Sequence, residues 1–146
     1  MPTKTRSTTL VVSRRIEAPP QKIYAAWTDP AKMKHWFGPR ESEVREVEAD
    51  VRVGGHYRVL MRMPDGVEHE ASGVYREVVS NQKLAFTWTW TSTPERETLV
   101  TVLISADGAG STITLTHERL FDELDRDNHE SGWTEVLQRL DAYTSR

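Results

Sequence analysis

The sequence contains no cysteine among its 146 residues. This absence excludes disulfide bonds, thiolate nucleophiles, zinc fingers and iron–sulfur clusters held by cysteine. Long apolar runs are absent too, since none approaches the roughly 20 residues of a membrane-spanning helix. The longest aliphatic cluster near the N-terminus, residues 10–12, is shorter than the core of a signal peptide, which needs about 7–15 residues. We therefore expect a cytoplasmic protein without a membrane span.

An excess of positive charge is missing as well. The chain has 19 basic and 22 acidic residues, so its formal net charge is −3 with neutral histidines. The basic residues are scattered, whereas a nucleic-acid-binding surface needs them clustered. The sequence also lacks the nucleotide motifs GxGxxG and GxxxxGK followed by Ser or Thr, and the nucleophile motif GxSxG. We therefore expect no nucleic-acid partner, and no cofactor is implied.

Aromatic residues stand out against this background, with five Trp, four Tyr and three Phe. A chain of this length fits one domain of ordinary size, which buries roughly 68–70% of the surface that the unfolded chain exposes. Residues 1–7 are polar, and we expect them to form a flexible N-terminus. Residues 8–146 are then a single domain, and the positions of its aromatic rings are the main guide to function.

The beginning of the chain predicts one strand and two short helices. β-Branched residues are enriched over residues 8–16, as is typical of a strand. The adjacent Pro19 and Pro20 suit the first turn of a helix, because the N–H that proline lacks has no partner there. Pro30 ends this helix, and a second short helix is predicted over residues 31–36.

Alternation of apolar and polar residues then predicts about six antiparallel strands. The alternation is clearest over residues 83–91, where one face is apolar and the other polar, as in a sheet with one buried face. Asp65-Gly66 predicts a hairpin turn, and Gly73 in the following strand predicts a bulge. The apolar face of the clearest strand consists of Leu84, Phe86, Trp88 and Trp90.

The end of the chain changes to the period of an amphipathic helix. Asp127 and Glu130 fit a capping box and predict that the helix begins there. Two short helices cannot cover a sheet of this size, so the long helix must lie across it and the sheet must curl around the helix. We therefore predict an α+β fold. The apolar stripe of the long helix consists of Trp133, Val136, Leu137, Leu140 and Tyr143.

The segment RRIEAPPQKIYAAWTDPAKMKHWFGP resembles the opening of START-like, or helix-grip, proteins (the SRPBCC superfamily). It is most similar to a bacterial family related to activators of a heat-shock-protein ATPase. Four further stretches follow in the order of that family, so that the resemblance covers about residues 10–143: DVRVGGHYRVLM, PDGVEHEASGVYREVVSNQKLAFTWTW, STITLTHERL and ESGWTEVLQRL.

This resemblance implies more about fold than about function. It implies a curved seven-stranded antiparallel sheet around a long C-terminal helix, with two short helices between the first two strands and a cavity between sheet and helix. Relatives in the superfamily include lipid carriers, polyketide cyclases and aromatases. Because one fold supports such different activities, the function has to be argued from the site.

The inward aromatic face and the resemblance together predict a site for a small apolar or aromatic molecule. The alternative is that the same rings only pack a core, since aromatic residues dominate core packing in any protein. The sequence leaves both alternatives open. We also expect Trp133 and Leu137 to pack against the apolar face of residues 83–91. The predicted ligand-binding residues are Trp36, Tyr57, Met61, Phe86, Trp88, Trp90, His117, Trp133 and Leu137.

Two residues are candidate catalytic groups. His117 continues an inward alternation with Ile113 and Leu115, so it could bind a ligand oxygen or act as a general acid–base. Bonded to a backbone carbonyl, it would instead have a structural role. Glu70 faces the cavity if the hairpin loop before it has an even length, and faces water if that length is odd.

The other histidines do not suggest a metal site. His56 and His69 flank the predicted hairpin, and with a two-residue loop His69 would face Arg62. No carboxylate or third histidine joins them at the spacing of metal ligands. His35 and His129 are expected to face solvent. We therefore expect no metal.

Three functions fit this sequence, and the interior of the fold distinguishes them. A binding protein has an apolar cavity with few titratable groups inside it. A cyclase- or hydratase-type enzyme has at least two convergent polar groups in that cavity. A co-chaperone-like interaction module has little cavity and a sizeable exposed apolar patch. The first is our prediction, and the oligomeric state stays open.

Overall fold

A computed structural model describes residues 8–145, so the predicted flexible segment 1–7 lies outside the described residues. Seven strands and three helices occur within residues 8–145. Their bounds are β1 Leu10–Ile16, α1 Pro20–Thr28, α2 Pro30–Met33, β2 Glu43–Ala49, β3 His56–Arg62, β4 Glu68–Val79, β5 Lys83–Trp90, β6 Thr98–Asp107, β7 Gly110–Glu118 and α3 Glu123–Thr144.

The seven strands form one antiparallel sheet in the order β1-β7-β6-β5-β4-β3-β2. The sheet curls around α3, the one long helix of the described residues. Trp133 of α3 packs on the apolar face of β5, with its ring centre 5.1 Å from that of Trp88. The helix-grip α+β fold and the packing of Trp133 on this face are therefore confirmed.

The helix α3 begins four residues before the predicted cap. Asp122 is the N-cap, and its side chain accepts a hydrogen bond from the backbone N–H of Asp125 at 2.8 Å. The Asp125 carboxylate in turn accepts from the backbone N–H of Phe121 at 3.3 Å. The prediction of a cap at Asp127 was wrong, because Asp122, which precedes an aspartate at the same spacing, caps the N–H of Asp125 in the first turn.

The short helix α2 ends at Met33 rather than at Trp36. Asp29 separates α1 from α2, and its side chain accepts a hydrogen bond from the backbone N–H of Ala31 at 3.0 Å. Trp36 lies beyond α2 and is fully buried, with its indole N–H donating to the carbonyl of Ala26 at 3.2 Å.

The hairpin between β3 and β4 has a loop of odd length. Arg62 pairs with Glu68, and Leu60 pairs with Glu70. Residues 63–67 all lie in the loop, so the sequence's open question of an even or an odd loop is answered as odd, and His69 does not lie opposite Arg62. The odd length places Glu70 on the outer face of the sheet and His69 on the inner face, opposite Met61.

Gly73 allows a close approach of two strands rather than forming a bulge. A Cβ at this position would lie 1.9 Å from the carbonyl oxygen of Thr87, which also accepts a hydrogen bond from the Tyr57 hydroxyl at 2.5 Å. The bulge between β4 and β5 lies later, between Tyr75 and Glu77. Only glycine leaves room for this contact between β4 and β5.

Candidate ligand-binding site

A cavity of about 490 Å³ lies between the inner face of the sheet and the first half of α3. Its volume is within the range of about 300–1,000 Å³ that is typical of small-molecule sites. The hairpin of β3 and β4 contributes Met61, Met63 and His69, and β5 with the segment after it contributes Trp88, Trp90, Ser92, Thr93 and Arg96. The other lining residues are Phe37, Gly38 and Pro39 after α2, and Asp125, Asn128, His129, Gly132, Trp133 and Val136 of α3.

The buried part of the lining is an aromatic cluster centred on Trp88. Its ring centre lies 5.1 Å from that of Trp133, 5.3 Å from that of Trp90 and 6.1 Å from that of Phe37. Trp88 and Trp133 are 4% and 3% exposed. These tilted and edge-on contacts are favourable arrangements of aromatic rings, so they give the cavity a well-packed apolar wall.

His117 lies behind this wall and is fully buried. The indole N–H of Trp133 donates to its Nδ1 at 3.0 Å, so Nδ1 carries the lone pair and the neutral ring has its proton on Nε2. That Nε2–H donates to the hydroxyl of Thr98 at 2.7 Å, and the hydroxyl donates to the carbonyl of Trp88 at 2.8 Å. Burial lowers the pKa of His117 to about 2, and nearby His129 adds to this effect. Both ring nitrogens of His117 are therefore bonded to protein groups, and the ring is neutral.

A second indole–imidazole pair, Trp90 and His129, lies in the cavity wall itself. The indole N–H of Trp90 donates to Nε2 of His129 at 3.0 Å, so the proton of the neutral ring is on Nδ1. This Nδ1 lies 2.8 Å from the backbone carbonyl of Asp125 and 3.3 Å from its carboxylate. The lone pairs of His117 and His129 are thus both occupied by tryptophan N–H groups.

The segment after β5 and the beginning of α3 contribute Ser92, Thr93, Arg96 and Asp125 to the lining. The guanidinium of Arg96, which lines the cavity, lies 3.6 Å above the ring centre of Phe121. This geometry is a cation–π contact. Phe121 is 58% exposed, so this contact lies at the surface of the chain.

Four of the nine predicted ligand-binding residues line the cavity: Met61, Trp88, Trp90 and Trp133. The other five, Trp36, Tyr57, Phe86, His117 and Leu137, are buried outside its lining. Tyr57 and Phe86 instead border a second cavity of about 10 Å³, which has room for about one water molecule.

Trp27 of α1 separates the predicted residues that line the cavity from those that do not. Its ring centre lies 4.7 Å from that of Trp36 and 6.4 Å from those of Phe86 and Trp133. The indole of Trp27 therefore fills the middle of the space between sheet and helix. The remaining cavity is displaced toward the end that Met61, Trp88 and Trp90 share.

The two candidate catalytic residues are not in the cavity lining. Glu70 lies on the outer face of the sheet, where its carboxylate accepts a hydrogen bond from Nε of Arg58 at 2.8 Å. His117 is enclosed behind Trp88 and Trp133.

The expectation that His129 faces solvent was wrong, because its side chain is 12% exposed and lines the cavity. His35 is exposed, and its ring stacks on that of Tyr143 with centres 5.4 Å apart.

Gly132 and His129 are the most informative residues that the sequence interpretation missed. A glycine inside a helix is destabilising by about 1 kcal/mol relative to alanine, so Gly132 was a signal in the sequence. A Cβ added at Gly132 would have no heavy atom within 4 Å. The structure thus places an open stretch of α3 backbone in the cavity wall.

Within residues 8–145, no group of three histidine, aspartate or glutamate side chains is arranged to hold a metal ion. None of the helices described there combines the length and the apolar character needed to cross a membrane.

The chain is similar to known sequences and structures over most of its length. Residues 17–145 match the family described as Activator of Hsp90 ATPase homolog 1-like protein. A structure from Chromobacterium violaceum has a TM-score of 0.87 at 25% identity, covering 94% of this chain and 98% of that one. The AHSA1 protein from Silicibacter pomeroyi has a TM-score of 0.81 at 28% identity, covering 92% and 95%. No curated protein matches this chain.

Proposed function

Because this chain belongs to the family of Activator of Hsp90 ATPase homolog 1-like proteins, which has the START-like fold, we propose that it binds a small, largely apolar molecule. The observation that carries the proposal is the cavity of about 490 Å³ with its wall of Met61, Trp88, Trp90 and Trp133. We further propose that residues 8–146 form one START-like domain, located in the cytoplasm and without a nucleic-acid partner.

The two imidazoles that accept from the indoles of the wall favour binding over proton transfer. A general base needs a free lone pair within reach of the substrate. The Nδ1 of His117 accepts from Trp133 and the Nε2 of His129 accepts from Trp90. Both imidazoles are therefore used to hold the indoles of the wall in place.

The exposed apolar side chains do not favour a protein-interaction module. Such a module needs a contiguous apolar patch. The large apolar side chains that are exposed within residues 8–145 lie on many different elements and loops. They are Val11, Val53, Val67, Val79, Leu103, Phe121 and Leu124.

The first test introduces a larger side chain at Gly132. We expect N-phenyl-1-naphthylamine to bind the wild-type chain, with a rise in dye fluorescence and quenching of tryptophan fluorescence. The substitution Gly132→Phe should weaken this binding by about tenfold or more, because its ring extends into the cavity without removing a contact of the wild-type chain. Fluorescence titration measures both affinities.

The matched control is Gly132→Ala. It adds one methyl group, so binding should stay within about twofold of wild type. The helix should also gain about 1 kcal/mol of stability. Equal affinity of the dye for wild type and Gly132→Phe, or no binding to wild type at all, would contradict the proposed site.

An enzyme of the cyclase or hydratase type is the second candidate, favoured by one observation. The carboxylate of Asp125 lies 3.3 Å from Nδ1 of His129 in the cavity wall, which is the arrangement of a carboxylate that orients a base. If Trp90 moved away from Nε2, His129 would be able to accept a proton from a ligand.

Deuterium exchange tests this second candidate. We expect the chain not to accelerate exchange of the methyl protons of 2-acetylnaphthalene in D₂O, because the Nε2 lone pair of His129 is occupied. Proton NMR follows the exchange against buffer alone. Acceleration by wild type that falls about 100-fold or more in a folded His129→Gln variant would favour the enzyme over the binding protein.

A further inference from the structure

The two edge strands of the sheet, β1 and β2, differ in how they are protected. Strand β2 carries three glutamates and one arginine among its seven residues, and its register with β3 shifts between Val44 and Glu46. Charged side chains and bulges of this kind keep an exposed edge from pairing with another chain. The register of β1 with β7 is regular over all of Leu10–Ile16, and the first four residues of β1 carry no charge.

Alternate residues of β1 direct their backbone groups away from the sheet. In an antiparallel pair, residues that bond to the neighbouring strand alternate with residues whose N–H and C=O point the other way. The carbonyl of Thr8 accepts from the N–H of Leu120, just beyond β7, at 3.2 Å. The carbonyl of Thr9 accepts from Nε of Arg126 in α3 at 2.9 Å. The odd-numbered residues of β1 therefore point outward, and Ser13 is at the centre of the strand.

The outer edge of β1 is open to another strand. A groove of about 650 Å³ lies between this edge and the outer surface of α3. Residues 11–13 form its wall on the side of β1, and Val11 is 56% exposed. Within residues 8–145, β1 pairs with β7 alone. An open edge with outward N–H and C=O groups can take up an extended segment as an additional strand.

The groove has an excess of negative charge. Asp127, Glu130 and Glu135 of α3 line it. The guanidinium of Arg126 is shared by Asp127 and Glu130, at 2.9 and 3.6 Å, and that of Arg40 lies 3.9 Å from Glu135. Among the described residues, these three carboxylates thus have two guanidinium partners. A strand that brings one further cation complements the groove.

We propose that β1 pairs antiparallel with β1 of a second copy of this chain, so that two sheets become one across a two-fold axis at Ser13. This register pairs all seven residues of the strand. Ser13 exchanges both backbone hydrogen bonds with Ser13 of the partner. Val11 lies opposite Arg15 of the partner, and Val12 lies opposite Arg14 of the partner. The pairing is separate from the cavity and does not depend on the proposed function.

The sequence of β1 favours a second copy over another extended segment, because the strand is complementary to itself. Each arginine faces a valine, so no like charges lie opposite each other. Arg14 of the partner is brought beside Val12, a groove residue, and supplies the missing cation. Its Nε donates to Asp141 of its own chain at 2.8 Å, which leaves the terminal nitrogens to the groove. Two-fold dimers are the commonest symmetric assemblies.

The first experiment measures the dimer dissociation constant of the full chain by sedimentation equilibrium. We expect wild type to dimerise and Ser13→Pro to raise the dissociation constant about tenfold or more, because it removes both N–H groups exchanged at the axis. Proline is tolerated on an edge strand where the N–H faces solvent, and circular dichroism checks the fold. The matched control, Ser13→Ala, keeps the N–H and should stay within about twofold of wild type.

The second experiment tests the register by cross-linking, for which the absence of native cysteine is an advantage. Residues in a hydrogen-bonded pair have Cα atoms about 5.5 Å apart, which suits a disulfide. Ser13→Cys should therefore give a covalent dimer on mild oxidation. Val11→Cys mixed with Arg15→Cys should also give one, whereas neither variant should alone. The control is Ser105→Cys, at an exposed position of the interior strand β6, which should stay monomeric.

Three results would overturn the proposal. A chain that is monomeric at every concentration would leave the groove to an extended segment of another protein. A dimer that Ser13→Pro, once folded, does not weaken would use another surface. A dimer that Ser13→Cys does not cross-link would have another register or another interface. The cross-link needs no proline, so the pairing stays testable if Ser13→Pro fails to fold.

Discussion

Replacing Trp133 by alanine is expected to lower the free energy of unfolding by about 3–5 kcal/mol. The residue is 3% exposed, and its ring contacts those of Trp27, Phe37 and Trp88 at centre distances of 6.4, 5.9 and 5.1 Å. The substitution removes these contacts and also leaves Nδ1 of the buried His117 without its donor. Urea denaturation followed by circular dichroism measures the loss.

The matched control is Trp133→Phe, which keeps an aromatic ring at the position and removes the indole N–H. Its loss should be smaller, about 1–3 kcal/mol, since it reflects mainly the unpaired acceptor of His117. The difference between the two variants separates ring packing from the hydrogen bond. If Trp133→Ala and wild type unfolded with the same midpoint urea concentration, the core position of this indole would be contradicted.

The fold follows from the sequence because its two strongest patterns are long and have different periods. Alternation over β5 indicates a half-buried strand, and the stripe from Trp133 to Tyr143 indicates a helix. Sheet and helix can only bury these faces against each other. The boundaries were less predictable, because Asp122 and Asp127 both precede an acidic residue at the spacing of a cap, and local sequence does not rank them.

The cavity was less predictable than the fold for a physical reason. Alternation gives the face of the sheet on which a side chain lies, and it does so equally for Phe86 and Trp88. It does not show which of these side chains is covered by a helix and which one borders empty space. Trp27 covers Phe86 and leaves Trp88 at the cavity, and the position of α1 over the sheet depends on tertiary packing.

The hydrogen bonds of the buried histidine show the same limit. Strand alternation correctly indicated that His117 points inward. Its partners, Trp133 of α3 and Thr98 of β6, lie on other elements, 16 and 19 residues away along the chain. The sequence therefore left a catalytic and a structural role open, and only the observed indole donor on Nδ1 makes the structural role the better supported one.

The stability of the chain should decrease as the pH falls below about 6.5, because of His117. Burial lowers the pKa of this residue in the folded chain to about 2, whereas the pKa in the unfolded chain is about 6.5. Between these values the unfolded chain binds one more proton than the folded chain. Each pH unit in this window then costs about 1.4 kcal/mol of stability, or about 3 kcal/mol between pH 7.5 and pH 4.

The substitution His117→Gln isolates this contribution from that of other titrating groups. Its amide oxygen can accept the N–H of Trp133 and its amide nitrogen can donate to Thr98, but it takes up no proton in this range. His129, whose ring centre lies 5.0 Å from that of His117, is present in both proteins. Urea denaturation at a series of pH values gives the stability of wild type minus that of the variant. We expect this difference in stability to fall by about 3 kcal/mol from pH 7.5 to pH 4. A constant difference would contradict the prediction. It would mean that His117 takes up a proton in the folded chain, which the indole donor on its Nδ1 should prevent.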